Sequence, residues 1–299
     1  MRGLLFIGSA VADVVLHAPA MPVKGGDVDL RSQSVTLGGC ACNAFTAARV
    51  TSPLPCALFA PMAGGVWGQW VREALRRSGV ETLCPAWDAE AGCCYCVVDA
   101  SGERTFLCNR GPEYHFQAQW FDNLAPETYD AVYCCGLEIM EADGQVIVDA
   151  LKRARPRRLL FAPGPHIRSI AESRMEELFR LSPILHLIRD EALEYTGETD
   201  TAAAAEALYK RTHQPVIVTL GAEGAYARSE AFTGTVPGLR VTPVDTIGAG
   251  DAHAGTLLAA LCEGLPLAEA LRRANRAAAA AVTVQGGQLT RDAWEAVQG

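Results

Sequence analysis

The chain has 299 residues, 49% of them hydrophobic and 20% charged, with a formal net charge of -8. That is enough apolar sequence to bury a large core and too much for a disordered chain, while an acidic balance with no basic block beyond Arg153 to Arg158 excludes nucleic acid or an anionic membrane as the main partner. The cysteines number 11, an odd count in a chain too large to need staples, and Cys40/Cys42, Cys93/Cys94/Cys96 and Cys134/Cys135 stand in apolar, strand-like contexts, so they read as small buried hydrophobes of a reducing cytoplasm rather than as disulfides or zinc ligands.

Gly3 to Leu16 followed by Ala18-Pro19-Ala20 imitates a secretory leader, but Asp13 interrupts the apolar run and Pro19 and Pro22 crowd the cleavage position. The segment is predicted instead as a buried first strand, Leu4 to Ile7, with Gly8 and Ser9 ending it and delivering Asp13. No run approaches the roughly 18 apolar residues that a membrane helix needs. Asp27 to Leu37 is polar with weak alternation, which suits an edge or flap. Gly38-Gly39 then turns into a helix from Cys40 to Arg49, whose small residues at helical spacing fit close packing on a sheet and which carries Asn43. A strand at Cys56 to Ala60 follows, and a helix at Trp67 to Ser78 with Trp70, Val71, Ala74 and Leu75 inward. Cys93 to Val98, the turn Asp99 to Gly102 and Arg104 to Cys108 make a hairpin.

Tyr129 to Cys135 reads as a buried strand that ends in Gly136-Leu137-Glu138, Val146 to Arg153 as helix and Arg158 to Phe161 as strand; Pro163-Gly164-Pro165 breaks the chain. Pro183 to Ile188 leads into the acidic segment Arg189 to Gly197, and Thr201 to Arg211 is an alanine-rich helix. Val216 to Leu220 reads as strand, with Gly221 to Gly224 as a turn into another. A β-rich run at Val241 to Val244 enters Asp245-Thr246-Ile247-Gly248-Ala249-Gly250-Asp251, from whose last residue a buried helix is predicted. Leu267 to Val282 is a further helix, holding Asn275 and ended by Gln285-Gly286-Gly287. Strands alternating with helices, without repeat or linker, predict one α/β domain over 1–299: a mostly parallel sheet covered on both faces.

The segment Asp245 to Asp251 carries chemistry. A helix starting at Gly248-Ala249-Gly250 presents free N–H groups and its positive dipole end to an anion, and Asp251 at that mouth can accept a hydroxyl proton. The alternative is an ordinary glycine turn with Asp251 as helix cap. A Rossmann loop would need glycine at His253, and a Walker loop needs Gly-Lys-Ser/Thr, whereas the lysines are Lys24, Lys152 and Lys210.

Asp-Thr-Ile-Gly-Ala-Gly-Asp resembles the C-terminal signature of the ribokinase-like carbohydrate kinases, the PfkB family, and nearly the whole chain follows that pattern. The resemblance implies a ribokinase-like three-layer α/β/α sandwich with a small β lid, formed by strands within about 14–37 and 92–112. It implies transfer of phosphate from ATP, with Mg²⁺, to a primary hydroxyl of a sugar or ribose-containing small molecule. A nucleoside or modified nucleoside is the alternative substrate, and a weakly catalytic sensor of sugar or nucleotide the alternative of another class. Asp251 is then the base and Gly248, Ala249 and Gly250 form the anion hole. Asp13, Gly38, Gly39, Asn43 and Glu138 hold the sugar, and Thr219, Gly221, Gly224 and Asn275 lie near ATP. Glu191 organises magnesium indirectly, and Asp245 lies beside a potassium ion. A homodimer through the lid is the partner the resemblance implies. Four features depart from the pattern: Ile188 stands where asparagine is usual in Asn-x-x-Glu, Cys40 where lysine is common, Val11 where ribokinase has a polar side chain, and the turn Gly64 to Gly68 lacks the acidic residue usual there.

Overall fold

The computed structural model describes residues 3–124 and 128–298; Met1, Arg2, Ala125 to Glu127 and Gly299 of the predicted domain lie outside the described residues. The strands are β1 (Leu4–Ile7), β2 (Val11–His17), β3 (Ser32–Gly38), β4 (Cys56–Phe59), β5 (Met62–Gly64), β6 (Ala86–Glu90), β7 (Cys93–Val98), β8 (Arg104–Asn109), β9 (Ala131–Cys135), β10 (Leu159–Ala162), β11 (Ile184–Ile188), β12 (Val216–Thr219), β13 (Gly224–Arg228) and β14 (Thr233–Pro237). The helices are α1 (Cys40–Thr51), α2 (Gly65–Arg77), α3 (Gly136–Met140), α4 (Gln145–Ala154), α5 (Glu172–Phe179), α6 (Arg189–Thr196), α7 (Thr201–Thr212), α8 (Ala249–Cys262), α9 (Leu267–Ala281) and α10 (Arg291–Ala296).

An 8-stranded sheet runs β14-β13-β12-β11-β10-β9-β1-β4. It is parallel from β4 to β12 and antiparallel at β13 and β14. Its inner strands are continuous apolar runs because both faces are covered. On β1, Leu4 and Phe6 join one core with α1, α8 and α9, whereas Leu5 and Ile7 join the opposite core with α4, α5 and α7. The pleat thus sends alternate residues to two helical layers, which is the three-layer sandwich predicted.

A second, 4-stranded sheet, β3-β2-β7-β8, stands apart from the large one. Here the sequence reading needs correction. The first strand does not simply end at Ser9: after a turn the chain forms β2, and Asp13 lies inside it, paired with Thr36 on β3 and Cys94 on β7. The small sheet therefore exceeds the predicted 14–37 at both ends, and residues 27–31 carry no strand. Strands β5, β6 and β14 were not predicted either, nor was α5. Val241 to Val244 forms no strand; the amides of Val244 and Asp245 bond instead to the Val282 carbonyl at the end of α9. Among the described residues no helix is long and apolar enough to cross a membrane.

Candidate active site

Helix α8 begins at Ala249, within the predicted glycine turn, with Gly248 as its N-cap in the left-handed region at φ 74°. Glycine is required there twice over, because a Cβ would also lie 2.0 Å from the Gly287 carbonyl oxygen. Asp251 is thus in the first turn and is not the cap, which removes the bland reading of its carboxylate. The first intrahelical bond runs from the Ala252 amide to the Gly248 carbonyl at 2.8 Å. The amides of Gly250 and Asp251 precede it and are the open N–H groups of this helix end. The Ala249 amide points back to the Thr246 carbonyl at 3.5 Å, so of the three predicted anion-hole amides Gly250 is the best placed, and the amide of Asp251 itself joins it. A Cβ on Gly250 would meet nothing within 4 Å, so this amide is reachable from the adjoining cavity.

Burial pushes the Asp251 carboxyl up to about 7; the Asn43 amide and the Cys40 thiol pull it down, and the charges of Glu138 and Glu191 push it further up. Asn43, from α1, donates its Nδ2 to Asp251 Oδ2 at 3.0 Å. This residue, predicted to hold sugar, therefore also orients the Asp251 carboxylate, while its buried Oδ1 has no partner among the described residues. Asp13 is pushed up to about 7 as well, by burial first and then by the charges of Asp251 and Asp245. Its carboxylate lies over Gly38, where a Cβ would come within 1.8 Å of Oδ2. Gly39, at φ 95°, brings the start of α1 against the Ser9 carbonyl, where a Cβ would approach to 2.5 Å. Thr36 Oγ1, Ser9 Oγ and Arg104 Nε are further buried polar atoms without a partner among the described residues. Buried polar atoms left open in this way are groups that a ligand can satisfy.

Glu138 behaves differently from the prediction. It is 1% exposed, its Oε1 accepts from the Ser9 amide at 2.7 Å and its Oε2 from the Cys135 thiol at 2.8 Å. Burial raises its pKa. One oxygen holds the turn that leads to Asp13 and the other the thiol at the end of β9, so both are engaged beneath the site.

On the other side of Gly250 lies a cavity of about 890 Å³, lined by Thr219, Gly221, Gly224, Asn275, Ile188 and Asp190 and by the apolar side chains of Leu239, Val241, Ala279 and Val282. All four residues predicted near ATP are on its wall, with different roles. Thr219 donates its hydroxyl to the Leu187 carbonyl at 3.3 Å. Gly221 at φ 60° opens onto space, whereas Gly224 is needed for packing, since a Cβ would lie 2.2 Å from the Val236 carbonyl. The Asn275 side chain is fully spent: Nδ2 donates to the Val236 and Pro237 carbonyls, and Oδ1 pairs with His253 Nε2 at 3.1 Å. His253 Nδ1 in turn pairs with His186 Nε2 at 2.9 Å. Burial holds both rings well below the usual histidine range, so the chain His186, His253, Asn275 is neutral and ties α8 to β11, α9 and β14.

Glu191 accepts from the Ile188 amide at 3.0 Å and is pushed up to about 7 by burial, with the charges of Asp190 and Glu194 adding to the rise. Its neighbour Asp190 lines the cavity, and Ile188, 44% exposed, presents no side-chain oxygen there. Asp245 is already partnered on both oxygens. Its Oδ1 is met by Arg104 at 2.9 Å and by the Ile247 amide at 3.0 Å, and its Oδ2 by the Gly286 amide at 3.0 Å. The guanidinium also donates to the Thr246 hydroxyl. Arg104, from the hairpin, is the main residue that sequence reasoning missed; it stands 142 positions from Thr246, and no local pattern links the two.

The profile described as pfkB family carbohydrate kinase matches residues 1–294. The uncharacterized sugar kinase YegV of Escherichia coli (strain K12) is 32% identical over 290 residues, covering 96% of this chain and 90% of that protein. The crystal structure of ribokinase from Thermotoga maritima superposes with a TM-score of 0.85 at 22% identity, covering 99% of both chains. A nucleoside kinase from Burkholderia thailandensis in complex with inosine superposes with a TM-score of 0.79 at 20% identity, covering 98% of this chain and 95% of that one.

Proposed function

The chain belongs to the pfkB family of carbohydrate kinases and is an ATP-dependent carbohydrate kinase, and from that premise we propose that it moves the γ-phosphoryl group of Mg-ATP onto a primary hydroxyl of a sugar or ribose-containing small molecule, with Asp251 as the base. The observation that carries this reading is the position of Asp251. It stands between a nucleotide-sized cavity and the residues Asp13, Thr36 and Asn43, of which Thr36 Oγ1 and Asn43 Oδ1 are open polar atoms, at the helix end whose amides are free. The substrate hydroxyl gives its proton to Asp251 as its oxygen bonds to the γ-phosphorus, and the electron pair of the broken P–O bond leaves with ADP. The Gly250 and Asp251 amides meet the charge spread over the transferring oxygens, so positioning and electrostatics supply most of the rate. Mg²⁺ enters with ATP as part of that substrate and neutralises phosphate charge; Glu191 and Asp190 are the residues placed to hold its water shell.

The sheet β3-β2-β7-β8 acts as a lid over the sugar, which excludes water from the transfer. Three ties support this: Arg104 to Asp245, Gln285 Nε2 to Ser34 Oγ at 3.0 Å, and Gly286 against Thr36. Its edge strand β8 exposes Phe106 and Leu107, a surface suited to a second copy of the chain. The free state of all the cysteines suits a reducing cytoplasm.

ADP release from Mg-ATP against a panel of ribose, fructose, ketodeoxygluconate and nucleosides, with Asp251→Asn alongside, tests the assignment. One substrate giving turnover that Asp251→Asn abolishes is the expected result. Turnover that survives the substitution unchanged overturns the base. Binding of nucleotide with no turnover across the panel favours the sensor, a reading motivated by Ile188 and opposed by the presence of Asp251 with its open amides.

A further inference from the structure

Two thiols that the phosphoryl transfer does not use face each other across the hairpin. Strands β7 and β8 pair antiparallel with Cys94 directly opposite Cys108, and the sulfurs are 3.4 Å apart. The Asp99 amide bonds to the Glu103 carbonyl at the turn, so counting back in steps of two puts Cys94 and Cys108 at a non-hydrogen-bonded pair. Such pairs have Cα atoms about 4.5 Å apart, inside the range of about 4.4–6.8 Å that a disulfide spans. Cys108 is exposed and Cys94 half-buried, so one sulfur is open to a solute and the other lies behind it. Cys94 is also the register partner of Asp13 on β2, which puts the pair on the face of the lid that carries the substrate-side carboxylate.

We propose that Cys94 and Cys108 form an oxidisable dithiol, which a peroxide converts to a cross-strand disulfide and a thiol reductant restores, and that the disulfide weakens substrate binding beneath the lid. Cys108 loses its proton and attacks one peroxide oxygen; the O–O bond breaks, one oxygen leaves as water and a sulfenic acid remains. The Cys94 sulfur then displaces the sulfenic oxygen, which leaves as a second water with the Cys94 proton. Two thiols have lost two electrons and the peroxide has gained them. Closing the sulfurs from 3.4 Å to a bond of about 2.0 Å draws β7 and β8 together beside Asp13. The thiol chemistry stands on geometry alone, whereas its effect on substrate rests on the function proposed above.

The full-length protein treated with hydrogen peroxide, blocked with an alkylating reagent and digested without reductant tests both parts. A linked peptide holding Cys94 and Cys108, reversed by dithiothreitol and lost in Cys108→Ser and in Cys94→Ser, is expected, together with a severalfold rise in sugar KM at little-changed kcat that Cys108→Ser does not show. Alkylation of both cysteines after peroxide treatment overturns the dithiol whatever the enzyme's activity. A disulfide that forms with KM unchanged, or a KM rise that persists in Cys108→Ser, overturns the effect on binding. A linked peptide from an inactive enzyme supports the dithiol and counts against the proposed function instead.

Discussion

A carboxyl group at about 7 is ionised only partly at neutral pH, and Asp251 must be ionised to take a proton. The value of kcat/KM is therefore expected to climb with pH and level off above about 7, as initial rates across the neutral range would show. Asp251→Asn keeps the shape and removes the base, and a loss of about 10²–10⁴ in kcat is expected. Asn43 gives a sharper test of the same site. Its amide donates to the ionised carboxylate and holds the pKa down, so Asn43→Leu is expected to move the acid limb to higher pH as well as to lower the rate. A limb that stays in place would mean that Asn43 serves only the sugar.

Two elements meet at the transfer point, the end of α8 and the hairpin of β7 and β8, and one ion pair joins them. Arg104 is 20% exposed at its side chain and Asp245 is 7%, so the pair is shielded, and removing one partner leaves the other charge without its match. Arg104→Ala is expected to lower kcat/KM by at least an order of magnitude with KM for the sugar rising most, read by steady-state kinetics, because the lid loses its tie to the loop that positions the amides. At the foot of α8, Gly248→Ala would combine a left-handed residue, about 1–2 kcal/mol by itself, with a contact against Gly287 that must be relieved by moving backbone. A lower Tm together with lost turnover is expected, and a variant that melts like the native protein would show that the turn is looser than its geometry indicates.

Across the molecule, function costs stability. Asp13 and Asp251 both rise from the ordinary aspartate value of 3.8 to about 7 on folding. The folded state then holds protons that the unfolded state has released, so their contribution to stability falls as pH rises from about 4 to about 7 and stays low above that. Asp13→Asn and Asp251→Asn are each expected to raise Tm by several degrees near about pH 8 and to change it little near about pH 4, measured by thermal unfolding. A stabilisation independent of pH would point to packing instead of to charge.

Much of this was legible in the chain. Leu4 to Ile7, the hairpin around Asp99 to Gly102, the Gly38-Gly39 entry to α1 and the Asp245 to Asp251 motif each announce themselves over a few neighbouring residues, because apolar runs, turn chemistry and helix starts are local properties. What the sequence did not show depends on partners distant along the chain. Val11 to His17 is a strand because β3 and β7 pair with it, whereas Val241 to Val244 is none, its end being held by the Val282 carbonyl, which takes the amides of Val244 and Asp245. Glu138 turns toward Ser9, Asn275 toward His253, and Arg104 crosses 142 positions to reach the motif. The sequence by itself determined the layered α/β architecture and singled out Asp251 and the helix end beside it. Only the tertiary structure decided which carboxylates are left open and which are already partnered, since a hydrogen bond or an ion pair is fixed by where folding brings the second group, and side-chain type alone does not carry that information.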